Sequence, residues 1–279
     1  MQNILFFQSL WAMERRDPDG FERSLEQNVA MIVDASFNGV SAHYTNRHDV
    51  ALLNDVIKGT GLQIEGMCFP TTVSDIHESL RLAEEFPVKH LNVQPDVQPR
   101  TVAECLPIVD GWLDAARSSD VPLFIETHRD RMTTDLFFTL DLLEARPQLP
   151  LLADLSHFVV GREIAIPVRE ETQLRLRRIL ENAQAFHGRV ASSEQVQVEM
   201  SFEHNRPWVD LFLEWWGYGI QSWRTRAPED ADLVFTCELG PKPYAIADRN
   251  GIDTTDRWQE SLLLRGLVQE VWDRIASIR

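Results

Sequence analysis

Four residues that can bind a metal ion or transfer a proton follow short apolar runs in the chain. Glu126 follows Leu-Phe-Ile and Asp154 follows Leu-Leu-Ala, while His187 follows Ala-Phe and Glu238 follows Val-Phe-Thr-Cys. A strand buried on both faces of a parallel sheet is apolar at nearly every position, so a polar residue at its end lies at the edge of the sheet. Because parallel strands end at the same edge, we expect these four side chains to lie close together.

Three carboxylates and one imidazole in one place indicate metal binding. Converging carboxylates repel each other strongly unless a cation or bound protons offset their charges. An oxygen-rich set with one histidine suits Mn²⁺, Mg²⁺ or Co²⁺, and Zn²⁺ is also compatible. A single carboxylate at a strand end is more often a helix cap or part of a surface ion pair, whereas four in register are difficult to explain in that way. The pattern therefore predicts one divalent cation held by Glu126, Asp154, His187 and Glu238.

Other residues with suitable chemistry lie at or near the remaining strand ends. The first four predicted strands end near these residues: Trp11, His43, Glu65 and Asn92. His157, three residues after Asp154, either points into the same place or is a solvated loop residue. His128 is either a neighbour of the site or a loop residue. The other histidines are interpreted as structural: His48, His77, His90 and His204.

The elements that must position these residues are strands and helices that alternate about eight times, with a period near 30 residues. The predicted strands are 4–13, 40–44, 62–69, 88–93, 122–126, 150–154, 186–187 and 232–238. The predicted helices are 21–35, 49–58, 74–86, 101–117, 134–145, 173–185 and 257–278. Eight such units in about 250 residues favour an α/β fold of the closed (β/α)₈ TIM barrel type over an open doubly wound sheet. The nucleotide-binding patterns GxGxxG and GxxxxGK[ST] are not found at the expected positions.

One domain spanning residues 1–279 is predicted, with a long tryptophan-rich insertion at about 188–231. Within it, one helical face carries Trp208, Leu211, Phe212, Trp215 and Gly219. This segment is either a helix packed on the barrel, a dimer contact, or an apolar lid over the site.

Composition narrows the class of protein. The formal net charge of −16 argues against a nucleic-acid-binding surface. No apolar run approaches the roughly 20 residues that span a bilayer. Three cysteines lie far apart without a CxxC pair, as is typical of reduced residues in a cytoplasmic protein.

The residues around the four strand ends resemble those of the xylose isomerase-like TIM barrel superfamily. The matching segments are Ile-Glu126-Thr-His128, Ala-Asp154-Leu-Ser-His157, Phe-His187-Gly-Arg189 and Cys-Glu238-Leu-Gly240. The resemblance is strongest to the sugar phosphate isomerase/epimerase branch, which includes ketose 3-epimerases, hydroxypyruvate isomerases and inosose dehydratases. It departs from that branch in the long segment between His187 and Glu238 and in the residues that follow His187.

The resemblance implies a function and a role for each residue. Glu126, Asp154, His187 and Glu238 would bind the metal, and the two glutamates would also be the acid/base catalysts. His157 and Arg189 would contact substrate oxygens, and Trp11 and His43 are further candidates for substrate binding. A homodimer or homotetramer is common among such proteins.

Three hypotheses follow for the function. The first is an isomerase or epimerase that moves a proton in a small sugar or hydroxy-keto compound through an enediolate. The second is a dehydratase or lyase that uses the same site on a keto-sugar or inosose. The third is a barrel that binds or assembles without metal. Endonuclease IV shares the Asp-x-x-His element, but its additional late histidines do not occur here, since His204 stands alone between His187 and Glu238.

Overall fold

The computed structural model describes residues 1–15 and 22–277. Eight parallel strands pair in sequence order, and β1 pairs with β8 to close the barrel. This confirms the (β/α)₈ TIM barrel. The strands are β1 (Asn3–Ser9), β2 (Gly39–His43), β3 (Gln63–Cys68), β4 (His90–Val93), β5 (Leu123–Glu126), β6 (Leu151–Ala153), β7 (Ala183–Gly188) and β8 (Asp232–Cys237).

The helices surround the strands. They are α1 (Leu25–Asp34), α2 (Arg47–Ile57), α3 (Ile76–Glu85), α4 (Val102–Ser119), α5 (Leu136–Ala145), α6 (Ser156–Gly161), α7 (Glu170–Leu180), α8 (Arg206–Arg226) and α9 (Arg257–Ser277). The predicted helices 21–35 and 257–278 extend to Phe21 and Ile278, which lie outside the described residues. Within residues 1–15 and 22–277, no helix is both long enough and apolar enough to cross a membrane.

Two apolar clusters form the hydrophobic core of the barrel. A large cluster fills the layer between strands and helices, and a small one inside the barrel contains Phe7, Leu152, Ala185 and Val234. The small cluster does not reach the carboxyl ends of the strands, where polar side chains lie. The site therefore lies above an apolar floor, as is usual for this architecture.

The ends of two strands differ from the sequence prediction. Strand β1 stops at Ser9, because Leu10 adopts helical backbone angles and Trp11–Met13 form a 3₁₀ turn. Strand β7 covers six residues, and helix α7 ends at Leu180 instead of continuing to residue 185. Alanine and glutamine at 183–185 are good helix formers, but their pairing with β6 and β8 overrides that preference.

The tryptophan-rich segment forms α8, which lies in the outer ring of helices. Trp216 packs edge-on against Phe235 of β8, with ring centroids 5.2 Å apart. At Gly219 a Cβ atom would lie 2.8 Å from the Phe186 ring of β7. The buried face of α8 therefore contacts the strands. The interpretation as a lid is wrong, and the alternative of a helix packed on the barrel is the one observed.

Candidate metal centre

Glu126, His187 and Glu238 meet at the carboxyl end of the barrel, where all three are buried. His187 Nδ1 lies 3.2 Å from Glu238 Oε2 and 3.8 Å from Glu126 Oε1. One ligand atom from each of the three residues falls within 4.8 Å of the others. The structure thus brings together three of the four residues predicted to bind the metal.

Asp154 lies beside this group, at the start of α6. Its Oδ1 accepts hydrogen bonds from the backbone N–H of Ser156 at 2.9 Å and from the Ser156 hydroxyl at 2.6 Å. These bonds fix the carboxylate, and its Oδ2 lies 3.4 Å from Arg189 Nη2. The same Nη2 donates to Glu238 Oε2. Arg189 therefore lies between Asp154 and Glu238.

The donor set fits a divalent cation. Glu126 Oε1, Asp154 Oδ2 and His187 Nδ1 are buried and have no hydrogen-bond partner among the described residues. Buried polar atoms are nearly always satisfied by protein, water or an ion. Three oxygens or nitrogens of the kinds that bind divalent metals are thus left for a ligand. The single charge of Arg189 does not offset three carboxylates.

Glu65 of β3 lies behind His187, inside the barrel. Its Oε1 lies 2.8 Å from His187 Nε2, and its Oε2 lies 2.9 Å from His90 Nε2. The Thr236 hydroxyl donates to the same Oε2 at 3.1 Å. Although burial raises the pKa of the Glu65 carboxyl, the two histidines outweigh burial and hold that pKa well below its usual range.

The two glutamates of the site differ in proton affinity. Burial raises the pKa of Glu126 to about 8, and the nearby carboxylates of Glu238 and Asp154 act in the same direction. Burial also opposes ionisation of Glu238, but His187 and Arg189 outweigh it and lower the pKa to about 2. Two carboxyls whose environments push their pKa values apart suit acid and base roles.

At His187, nearby carboxylates also outweigh burial, and here they raise the pKa. Burial lowers its pKa, but Glu238, Glu65 and Glu126 raise it by more, so the pKa lies well above its ordinary value. The three surrounding carboxylates therefore favour a cation at this position, whether it is a proton or a metal ion.

Aromatic residues form a wall around Arg189. The guanidinium carbon lies 5.8 Å from the Trp11 ring centroid and 5.0 Å from that of Tyr244. The two rings meet edge-on at 5.1 Å. At Gly240 a Cβ atom would lie 2.3 Å from Trp11, so the chain after β8 can approach the indole only at a glycine. Trp11 thus lies at the site, as predicted, in a turn beyond β1.

His157 is fully buried, and within residues 1–15 and 22–277 neither of its ring nitrogens has a hydrogen-bond partner. Its Nε2 lies 3.5 Å from Asp154 Oδ2, and its ring contacts that of His128 at a centroid distance of 3.9 Å, with the two ring planes tilted by 52°. Burial, aided by Arg189, lowers the pKa of both histidines, to about 4 for His128. His157 is therefore a neutral donor and acceptor beside the carboxylates, and it is not a solvated loop residue.

The structure places His43 further out. It is exposed, and its ring packs edge-on against Phe69 at 5.3 Å. It lines a cavity of about 240 Å³ that Trp11 and Asp49 also line. Contact between His43 and a substrate stays a prediction. A cavity of about 930 Å³ at the opposite end of the barrel, near Arg146 and the start of β5, contains none of the predicted site residues.

Sequence reasoning missed the roles of several residues. Glu65 and Asn92 were noted only as strand-end residues, yet Glu65 contacts His187 and Asn92 donates to Glu126 Oε2. His90 was interpreted as structural and is a partner of Glu65. The available signal was a carboxylate inside the apolar strand Gln63–Cys68, since a buried charge requires a partner. Tyr244 gave no comparable signal.

Comparisons with known proteins agree with the fold. No protein-family model and no curated protein matches the sequence. Solved structures do match. A xylose isomerase-like TIM barrel protein from Mycobacterium smegmatis, in complex with magnesium, is 13% identical with a TM-score of 0.58, over 95% of this chain and 97% of that chain. The chain shares the TIM barrel fold of that protein.

Other solved structures with the same barrel fold belong to proteins of different function. A sugar phosphate isomerase/epimerase from Parabacteroides distasonis is 6% identical with a TM-score of 0.60, over 96% of this chain and 95% of that chain. A probable 3-DHS dehydratase from Bacillus anthracis is 14% identical with a TM-score of 0.51, over 83% and 92%. The fold also occurs in a family 2 AP endonuclease from Brucella melitensis, at 11% identity, a TM-score of 0.55, and 86% and 94% coverage. At these identities the comparisons establish the fold, and the activity has to be argued from the site.

Proposed function

We propose that this barrel is a divalent-metal-dependent isomerase or epimerase of a small sugar or hydroxy-keto compound. One observation carries the proposal. Glu126 and Glu238, from strands three apart in the barrel order, both approach Nδ1 of His187 in a buried site, at 3.8 Å and 3.2 Å. Two acids around one metal-ligating nitrogen are the arrangement that proton transfer on a chelated substrate requires.

The metal ligands would be Glu126, Asp154, His187 and Glu238. Mn²⁺, Mg²⁺ and Co²⁺ suit this mainly oxygen set, and Zn²⁺ is compatible. When bound, the ion would act as a Lewis acid that polarises the substrate carbonyl and so acidifies the neighbouring C–H bond.

The two glutamates would move the proton. One carboxylate removes the proton from the carbon next to the carbonyl, which leaves the substrate as an enediolate. The other glutamate returns a proton to the opposite face of that carbon, or to the neighbouring carbon while the hydroxyl proton passes to the former carbonyl oxygen. The first outcome is epimerisation and the second is isomerisation.

The remaining residues would hold the substrate. In the part of the chain that the structure describes, the buried Nε and Nη1 of Arg189 have no hydrogen-bond partners, and neither do the two ring nitrogens of His157. These groups can bind hydroxyl oxygens or an anionic end of the substrate. Trp11 and Tyr244 form an apolar wall that would exclude water from the same place.

The test is solvent deuterium exchange. Protein loaded with Mn²⁺ is incubated in D₂O with a panel of small ketoses and hydroxy-keto acids, and exchange next to the carbonyl is followed by NMR after the metal is removed. Glu126→Gln and Glu238→Gln are each expected to lower the exchange rate by about 10²–10⁴-fold, the range for loss of an acid/base group. Glu144→Gln, on the exposed face of α5, is the matched control and should exchange like the unaltered protein.

Either of two results would contradict the proposal. One is full exchange by Glu238→Gln, and the other is no exchange by the unaltered protein with any compound of the panel. Appearance of an enone absorbance with keto-sugars or inososes would instead identify the dehydratase alternative.

A further inference from the structure

Glu65 has a different environment from the carboxylates at the barrel mouth. Both of its oxygens are occupied by protein donors, with His187 on Oε1 and with His90 and Thr236 on Oε2. Glu126, by contrast, has one oxygen, Oε1, that no described residue contacts by a hydrogen bond. Three contacts from three strands leave Glu65 no free oxygen for a metal or a substrate. Its task must therefore concern the residues it touches.

The contact with His187 decides which ring nitrogen of that histidine can bind a metal. A neutral imidazole carries one N–H and one lone pair. With the proton on Nε2, the ring donates to Glu65 at 2.8 Å and its lone pair on Nδ1 faces Glu126 and Glu238. In the other tautomer, the lone pair of Nε2 would face a carboxylate oxygen, and Nδ1 would carry a proton where the metal must bind.

We propose that Glu65 is a positioning residue that holds His187 in the Nε2–H tautomer and so makes Nδ1 a metal ligand. The inference rests on the proposed function only in taking His187 as a ligand. Histidines that bind metals generally donate their second N–H to a carboxylate or carbonyl, and loss of that partner weakens metal binding.

The strands hold Glu65 in place for this task. Glu65 and His90 are register partners on the adjacent strands β3 and β4. Thr236 is the register partner of His187 on the adjacent strands β7 and β8. The carboxylate thus connects two pairs of strands across the barrel interior. Since the second torsion angle of a histidine has broad minima, backbone position alone does not fix the ring, and Glu65 supplies the missing constraint.

Replacing Glu65 with glutamine tests whether it positions His187 without changing the packing around it. Glutamine has the size of glutamate but offers one oxygen and one NH₂ group. If its oxygen keeps the two donors at the Oε2 position, His90 and Thr236, then its NH₂ group faces His187 Nε2. That nitrogen must then accept a hydrogen bond, which moves the proton of His187 to Nδ1.

The experiment measures Mn²⁺ affinity and the tautomer of His187 together. Glu65→Gln is expected to weaken Mn²⁺ binding by roughly 10–100-fold, and ¹⁵N NMR of the metal-stripped protein above the pKa of His187 should show its proton moved to Nδ1. Thr236→Val is the control, because it removes a hydrogen bond from Glu65 but leaves the one to His187. Its Mn²⁺ affinity and its tautomer should match those of the unaltered protein.

Two results would overturn the inference. One is Glu65→Gln binding Mn²⁺ like the unaltered protein with the His187 proton still on Nε2, and the other is an equal loss in Thr236→Val. If Glu65→Gln fails to fold, the Zn²⁺-loaded unaltered protein decides the question, since a proton on Nδ1 contradicts the proposal and one on Nε2 supports it. An unaltered protein that binds no metal would refute the proposed function, whereas the tautomer in the stripped protein still tests the role of Glu65.

Discussion

The buried carboxylates in the two halves of the barrel have different partners. In the β5–β8 half, Glu126, Asp154 and His187 each have an oxygen or nitrogen without a hydrogen-bond partner among the described residues. In the β1–β4 half, both oxygens of Glu65 are bonded, and Asn92 donates its amide to Glu126. One half presents ligand atoms, and the other half orients them.

This difference explains why Glu65 and Glu126 have opposite proton affinities. The histidines around Glu65 keep its pKa below the usual range, whereas burial raises that of Glu126 to about 8. An unsatisfied buried carboxyl is costly unless it is protonated or binds a cation. In the β5–β8 half, the costly carboxyl of Glu126 lies at the place where an ion would bind.

We expect the pH dependence of metal binding to be the largest of the effects. It should come from residues of the β5–β8 half alone. Glu126, with a pKa raised to about 8 by burial, and His187, with a pKa raised by its carboxylates, must both lose a proton to bind a metal. Below both pKa values, Mn²⁺ affinity should therefore fall by roughly 100-fold per pH unit, and above them it should level off. Calorimetry in buffers of different ionisation enthalpy should show about two protons released per ion near neutral pH. Affinity independent of pH would contradict this account of the site.

The second-largest effect should be the loss of stability when the buried guanidinium of Arg189 is removed from the metal-stripped protein. Arg189→Met leaves Asp154 and Glu238 without their partner, so we expect a loss of about 3–5 kcal/mol in the free energy of unfolding. Urea denaturation measures it. Arg47→Met is the control, since it breaks an ion pair with Glu85 on the exposed surface and should cost little. Equal losses in the two variants would show that Arg189 does not offset the charges of the site.

A smaller effect is expected in the β1–β4 half at Asn92. Asn92→Leu removes the donor that holds Glu126, and Mn²⁺ affinity should fall by roughly 10–100-fold. Gln94→Leu is the matched control, because this buried amide donates only a weak hydrogen bond to Met67 Sδ at 3.4 Å. An Asn92→Leu variant that binds Mn²⁺ like Gln94→Leu would remove Asn92 from the orienting half.

The smallest effect is expected at His43. Its ring packs on Phe69 at the outer edge of the mouth, so His43→Ala should change KM by no more than about twofold, as is usual for exposed positions. Steady-state kinetics with the substrate found in the exchange assay provides the measurement. A tenfold rise in KM would instead place His43 in contact with the substrate.

The grouping of Glu126, His187 and Glu238 could be predicted from sequence, but their partners in the β1–β4 half could not. Glu126 and Glu238 end apolar strands, and a strand end is visible in the sequence. The role of Glu65 depends on which interior residue of β3 faces His187 across the barrel, and this is set by strand register. Arg189 was expected through a resemblance, but its contact with Tyr244 depends on the path of the chain after β8. The helix preference of residues 183–185 was overridden by strand pairing.

Metal stoichiometry decides whether the barrel mouth binds an ion. The protein is stripped with a chelator, dialysed and titrated with Mn²⁺, and bound ion is followed by the loss of the free Mn²⁺ EPR signal. We expect one Mn²⁺ per chain in the unaltered protein and much weaker binding in His187→Gln. Absence of saturable binding by the unaltered protein, or undiminished binding by His187→Gln, would contradict the assignment of the barrel mouth as a metal centre.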